Sequence, residues 1–336
     1  MASLTLKHLK KRYQNGYEVM GDVSLNVENK EILVLLGPSG SGKTTLLRML
    51  MGTEIITDGE AYLDGELIND VEPADRQFAM LFQNYALYPS LTVYDNLAFG
   101  LKLRKVGEDE IEERVMDTAR ILNLTHLLKR KPKVLSDVQK HRLALGRAII
   151  WRPKMILLNE PYSRIESKYH RALWNELVSL QQRLGITMLY VTNDQEEAAT
   201  VASRIAIINK GIIEQVGTPE EILNVPVNKF VAAFYGAPSM RFEDALCKDV
   251  DGKISVVIRE KEFELPEEKA VVLKEKGYAG KEVVVGIRQE ETFEEIEAEE
   301  GRITGISEHI SMRLDDSFDI NQIHIFDKET EEAIVH

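Results

Sequence analysis

Runs of four or five apolar residues alternate with helix-spaced segments through the first two hundred positions. Ile32-Leu33-Val34-Leu35-Leu36 contains no polar residue and stops at Gly37, the mark of a buried strand. Met155-Ile156-Leu157-Leu158, Met188-Leu189-Tyr190-Val191 and Ile205-Ala206-Ile207-Ile208 repeat it. Strands apolar on both faces belong to a sheet covered by helices on each side. Between them, over 107–123, Ile111, Val115, Ala119 and Leu122 recur at helical spacing. Glu108, Asp109 and Glu110 precede them, where a helix N-terminus favours acid. The last hundred residues change character. Ile254-Ser255-Val256-Val257-Ile258, Glu282-Val283-Val284-Val285-Gly286 and Ile323-His324-Ile325-Phe326 are strand-like, with turn signals such as Asp251-Gly252 between them. The pattern predicts an α/β domain followed by a small, mostly-β one.

The chain has 336 residues, enough for about two domains. Its net charge of −13 is localised: residues 236–336 carry 13 basic and 26 acidic side chains, and residues 1–235 carry 29 of each. Together with the turn residues Ala237-Pro238-Ser239, this sets an expected boundary between domains 1–236 and 237–336. The acid includes a glutamate run from Glu290 to Glu300, read as a solvated face or loop. It would repel phosphate, so nucleic acid is not an expected partner. No stretch approaches the roughly 18–20 consecutive apolar residues that span a bilayer. Residues 1–30 hold Lys7, Lys10, Lys11 and Arg12 without the apolar core of a signal peptide. The single cysteine, Cys247, allows neither an internal disulfide nor a cysteine metal cluster. An integral membrane protein, a disulfide scaffold and a cysteine-ligated zinc protein are all excluded.

Gly37-Pro38-Ser39-Gly40-Ser41-Gly42-Lys43-Thr44 matches the phosphate-loop pattern G-x-x-x-x-G-K-[ST] in full. A buried strand precedes it and an apolar helical run, Thr45 to Met51, follows. Glycines let successive backbone N–H groups turn onto phosphate oxygens, and the helix N-terminus adds its positive end. Lys43 is suited to reach the β and γ phosphates, and the Thr44 hydroxyl to ligate Mg²⁺. The chain is expected to bind a nucleoside triphosphate. A small GTPase is disfavoured, because Asn209-Lys210-Gly211-Ile212 lacks the aspartate of a guanine-reading N-K-x-D.

Downstream segments carry a resemblance. Asp75 to Pro89, with Gln83 within it, is similar to the Q-loop region of the ATP-binding subunits of ABC transporters, in the importer branch typified by the maltose and glycerol-3-phosphate systems. Leu135-Ser136-Asp137-Val138-Gln139 stands at that family's signature position. Asn159-Glu160-Pro161 stands at the Walker B end, and Asn193-Asp194-Gln195-Glu196 at the switch. Ile325-Phe326-Asp327-Lys328-Glu329-Thr330 resembles the regulatory β domain of sugar importers. The resemblance implies a P-loop NTPase domain, with a RecA-like core and a helical subdomain, and then a regulatory β-rich domain. It implies ATP and Mg²⁺ as ligands and import of a carbohydrate or similar small solute as the task. By resemblance Tyr13 faces adenine, Gly37 to Thr45 and Ser136 bind nucleotide, and Thr44, Gln83 and Asn159 serve the metal. Glu160 and Gln83 are the catalytic pair. Implied partners are transmembrane permease subunits, a second ATP-binding subunit (a copy of this chain or an intact paralogue) and, indirectly, an extracellular solute-binding protein. The implied location is cytoplasmic, on the inner face of the cell membrane. Leu87 to Leu97 is read as the permease-docking segment, with burial in the helical subdomain as the alternative.

Four positions depart from the family pattern. Asn159 replaces the aspartate that serves the metal, Asp137 and Val138 replace the two signature glycines, and Asn193 replaces the switch histidine. Glu166, in Ser163-Arg164-Ile165-Glu166, keeps a charge on a longer arm in the loop that crosses to the partner. Asp137 sets a carboxylate, and Val138 a β-branched side chain, where backbone amides should approach a γ-phosphate. Gly146 should cost its helix up to about 1 kcal/mol. The expectation is retained nucleotide binding with weak or absent hydrolysis. The alternative is a regulatory or scaffold paralogue that binds ATP or a protein partner without turnover.

Overall fold

Each strand-like run named above forms a strand, save that Ile323 lies just before the last of them. The computed structural model describes residues 2–250, 253–288 and 319–336, so Asp251-Gly252 and the glutamate run lie outside the described residues. The chain divides into two units, Met1–Pro219 and Glu220–His336.

The first unit is built on one sheet. Its strands are β1 (Leu4–Arg12), β2 (Glu18–Val27), β3 (Ile32–Leu36), β4 (Asp58–Leu63), β5 (Glu66–Leu67), β6 (Phe78–Leu81), β7 (Met155–Asn159), β8 (Thr187–Thr192), β9 (Arg204–Asn209) and β10 (Ile212–Gly217). The spatial order is β5-β4-β1-β2-β10-β9-β3-β8-β7-β6. From β9 to β6 the strands are parallel, and β3, β7 and β8 are buried at every residue. The other half is antiparallel except where β10 meets β2 in a parallel pairing at Ile212 and Asp22, and it alternates buried and exposed positions, as in β2. Because β3, β6, β7 and β8 run the same way, the residues that follow them gather at one edge of the sheet. Those residues are Gly37, Gln83, Glu160 and Asn193.

Helix α1 (Lys43–Met51) follows β3 and buries Leu46, Leu47, Met49 and Leu50. Its C-terminal end is closed by Arg76, which is 5% exposed and donates to Met49 O at 2.7 Å and Leu50 O at 2.9 Å. A cation on the last carbonyls complements the negative end of the helix. Helices α2 (Val93–Leu103), α3 (Glu108–Ile121) and α4 (Asp137–Ile149) pack on one another as a helical layer. Val93 and Leu97 are core of that layer, whereas Leu87 is half-buried. Gly146 serves this packing: a Cβ there would lie 2.8 Å from Leu97 Cδ2 and 3.0 Å from Leu122 Cδ1. Helix α5 (His170–Leu184) and α6 (Gln195–Val201) complete the unit.

The chain crosses the division through α7 (Pro219–Asn224) and continues with α8 (Lys229–Phe234). Then come β11 (Arg241–Val250), β12 (Lys253–Ile258), β13 (Lys261–Glu264), α9 (Glu267–Glu275), β14 (Glu282–Ile287), β15 (His324–Asp327) and β16 (Ala333–Val335). They form an antiparallel sheet of order β13-β12-β11-β14-β15-β16. Leu273 of α9 joins Cys247, Val256, Val283, Val285 and Ile325 in its core. The fold is that of an α/β P-loop domain followed by a small β-rich one.

Candidate functional site

The loop between β3 and α1 is shaped by its glycines. Gly40 and Gly42 have φ of +82° and +99°, where a side chain would be strained. Gly37 is required by proximity, since a Cβ would lie 2.2 Å from Ile208 O. Lys43 folds back inside the loop, donating to Gly37 O at 2.7 Å and Pro38 O at 2.8 Å. Burial holds its ammonium below the usual lysine range, and the Glu160 carboxylate opposes that shift. Gly42 stands at the α1 N-terminus and no side chain caps it. The first N–H groups of a helix have no carbonyl of their own, so uncapped donors and a half-desolvated cation meet at one point. A Cβ on Gly40 would meet nothing within 4 Å, so its backbone angle and not lack of space calls for glycine there.

An oxygen set faces this cradle. Thr44, in the first turn of α1, has its hydroxyl 3.5 Å from Asn159 Oδ1 at the end of β7. Thr45 follows it, half-buried. Glu160, at φ +44°, is tied to the neighbouring strand by its N–H to Val191 O at 2.8 Å. Its Oε2 accepts from Gln83 Nε2 at 3.2 Å. Asn193 is exposed just beyond β8, next to Asp194, whose side chain caps α6 by accepting from Glu197 N at 2.9 Å. Glu197 is itself buried, with the Tyr190 and Thr192 hydroxyls of β8 donating to it. A triphosphate suits the donors of the loop. Among the described residues no group of three or more His, Cys, Asp or Glu is placed to hold a metal. A divalent ion here would therefore depend on phosphate oxygens together with Thr44 and Asn159.

Tyr13 closes the turn between β1 and β2, donating its N–H to Tyr17 O at 2.9 Å, with Lys11 Nζ 5.0 Å from its ring centre. The same hairpin passes the loop, because a Cβ on Gly42 would lie 3.2 Å from Met20 Cε. Ser136 takes a different part. It caps α4 by accepting from Gln139 N at 3.3 Å, and Gln139 Oε1 accepts from Ser136 N at 3.0 Å. Asp137 sits in the first turn of α4 and pairs with Lys140 at 2.9 Å. Asp137 and Lys140 border a cavity of about 310 Å³ with Asn84, Tyr85 and Arg164, so the signature segment faces outward beside the Gln83 loop. Glu166 is exposed and paired with Lys168 at 2.5 Å.

Sequence reasoning missed an aromatic stack that joins these loops. Tyr85, at φ +60°, meets His141 of α4 edge-on at 5.8 Å between ring centres. His141 lies 4.6 Å from Tyr162, two residues after Glu160. Burial pushes the Tyr85 hydroxyl up to about 12 and the His141 imidazole down to about 3, so both are neutral at pH 7. The Tyr85 hydroxyl and His141 Nδ1 are buried without a hydrogen-bond partner. The sequence signal was only a histidine on an apolar helix face, which by itself reads as core.

The chain is similar to known proteins over most of its length. Residues 20–163 match the family described as ABC transporter. The chain is 47% identical over 296 residues to the oligosaccharides import ATP-binding protein MsmX of Bacillus subtilis, covering 88% of this chain and 80% of that one. It is 52% identical over 244 residues to the sn-glycerol-3-phosphate import ATP-binding protein UgpC of Bartonella quintana, covering 73% and 70%. It is 50% identical over 290 residues to the uncharacterized ABC transporter ATP-binding protein YurJ of Bacillus subtilis, covering 86% and 79%. Among solved structures, cbiO1 from Clostridium perfringens, part of the ABC transporter complex cbiONQ, aligns with a TM-score of 0.61 at 26% identity. That alignment covers 65% of this chain and 89% of the other.

Proposed function

The chain belongs to the ABC transporter family, and on that premise we propose that it is the ATP-binding subunit of a carbohydrate-type importer that retains nucleotide binding and has impaired hydrolysis. The observation that carries the reading is the contrast within one site. The phosphate loop is complete, with Lys43 seated in it and α1 uncapped behind it, while the side chain facing Thr44 is an amide. In this reading Gly37 to Thr45 hold the triphosphate, Tyr13 faces the base, and Glu160 and Gln83 orient water at the γ-phosphate. Mg²⁺, when bound, neutralises phosphate charge; this chain offers it the Thr44 hydroxyl and neutral oxygens of Asn159 and Gln83. An aspartate at 159 would add a full charge, which at 4 Å and an effective dielectric of 20 is about 4 kcal/mol before desolvation.

The remaining defects act on the partner's nucleotide or on the switch. Ser136 keeps a donor, but Asp137 brings a carboxylate toward an anion, and Asn193 supplies an amide instead of an imidazole. A second ATP-binding subunit, permease subunits and an external solute-binding protein complete the proposed assembly, with this chain on the cytoplasmic face of the membrane. Among the described residues no helix is long and apolar enough to cross a membrane. The regulatory β domain is assigned to residues 237–336, where the acidic surplus begins.

Calorimetric titration with ATP, with and without Mg²⁺, together with a phosphate-release assay, tests the reading. The expected result is ATP binding that Mg²⁺ strengthens less than about tenfold, with little phosphate released. Absence of any nucleotide binding would leave a scaffold role as the better description. Brisk release by the unmodified chain would overturn the impairment.

A further inference from the structure

We propose that the cleft between α3 and the sheet of the first unit binds a small amphipathic organic anion. The cleft has a volume of about 570 Å³, within the range of roughly 300–1,000 Å³ typical of small-molecule sites. One wall is α3, with Thr118 and Ile121; the opposite wall is the β2–β3 turn at Lys30 and the passage from α5 into β8 at Leu184 and Ile186. Ile149 and Ile150, at the end of α4, give it an apolar floor. None of the phosphate-loop residues line it, so it is separate from the nucleotide site.

Charge decides the class of occupant. Four cationic side chains line the cleft, Lys30, Arg114, Arg152 and Lys154, against a single carboxylate, Asp117. Asp117 is already held by Arg120 at 2.7 Å. Arg114 is paired with Glu110, and Lys154 with Asp64 at 2.9 Å. The Lys30 ammonium and the Arg152 guanidinium have no acceptor among the described residues, which leaves two unspent cations at the rim. Two loop carbonyls in the same wall are already taken. Gln181 Nε2 already donates to Lys30 O at 2.7 Å and to Ile186 O at 2.8 Å. An apolar body of ring or short-chain size on the isoleucine floor, with one carboxylate, sulfonate or phosphate between Lys30 and Arg152, matches both the shape and the charge. Such a ligand would touch the helical layer and the sheet together, and so bias how the two pack.

Titration of the full chain with 8-anilino-1-naphthalenesulfonate, an apolar anion of suitable size, tests this. The expected result is saturable fluorescence enhancement at one probe per chain, unaffected by ATP. In the Lys30→Glu/Arg152→Glu double variant its Kd should rise at least tenfold, and in Arg152→Gln by a smaller factor. Both side chains are exposed, and an unchanged thermal midpoint would show that the variants fold. An equal Kd in the double variant, displacement of the probe by ATP, or no saturable binding would each overturn the proposal. It is independent of the nucleotide reading: calorimetry with ATP on the same variants reports that separately.

Discussion

At the scale of the residue, Asn159 is the position with the largest expected effect. Its Oδ1 faces Thr44 Oγ1 at 3.5 Å, so a carboxylate there would stand one atom from any cation held by the threonine. Asn159→Asp should raise the affinity for Mg-ATP by about tenfold or more, with ATP alone bound less tightly because two anions then meet. Phosphate release should stay low, since the switch imidazole and the signature glycines are still missing. Titration calorimetry with a release assay checks both; full turnover from this one change would show that the signature defect has been overstated. Gln83 and Glu160 were legible as a pair only through resemblance, and their 3.2 Å contact brings them together across the ends of β6 and β7. Arg76 was not legible as a functional part of the fold. A lone arginine in a polar stretch carries no local sign that it will be buried on the carbonyls of a helix ending 25 positions earlier. Arg76→Met removes donors from Met49, Leu50, Val71 and Asn69. It should cost about 2–4 kcal/mol, read as a fall in the denaturation midpoint of the first unit.

At the scale of the element, the first turn of α4 is built for helix stability, and on the proposed reading this comes at the expense of ligand approach. A capping box, an acidic first turn and Val138 in place of glycine all favour the helix. Replacing Asp137 and Val138 by glycine should therefore destabilise the first unit by about 1–2 kcal/mol, near 2–4 °C for each kcal/mol in a domain of this size. Combined with Asn159→Asp and an intact partner, the same pair should raise phosphate release above that of Asn159→Asp alone. Thermal melting and steady-state release measure the two sides, and a pair of glycines that left both unchanged would contradict this account of α4. The parallel strands β3, β7, β8 and β9 and the phosphate loop were readable in the sequence because their constraints are local: unbroken apolar runs, glycines at positive φ, one lysine; β6 was legible only as part of the Gln83 region. β1, β2 and β4 were not, because a half-exposed strand alternates polar and apolar residues without a run to mark it. Gly146 was read as a cost to α4. The close approach of Leu97 and Leu122 gives it a packing use that only the assembled helices reveal.

At the scale of the whole molecule, two buried histidines make acid stability a property of each unit separately. His324, beside His336 at 3.1 Å between Nδ1 atoms, is held down to about 4 by burial and by the His336, Lys269 and Arg288 cations. Asp319 faces the same Lys269, and His336 is shifted the same way by burial, Lys269 and Lys276. A folded state whose histidine pKa lies below the unfolded value near 6.5 binds fewer protons than the unfolded chain between pH 6.5 and 4. Its stability is therefore intact above that window and is lost as pH falls through it. The magnitude is up to about 3 kcal/mol for His324 at 1.36 kcal/mol per pKa unit. His141 does the same for the first unit, where protonation would strand a charge in the Tyr85–Tyr162 stack. The two responses can be told apart because both tryptophans, Trp151 and Trp174, belong to the first unit. Urea unfolding followed by tryptophan fluorescence at pH 7 and pH 5 should show an acid-weakened transition that His141→Gln flattens and His324→Gln does not. Far-UV dichroism, which sees both units, should show the complementary loss of pH dependence in His324→Gln. If His324→Gln altered the tryptophan-detected transition to the same extent, the two units would be unfolding as one, and the division of acid sensitivity between separate cores would fail.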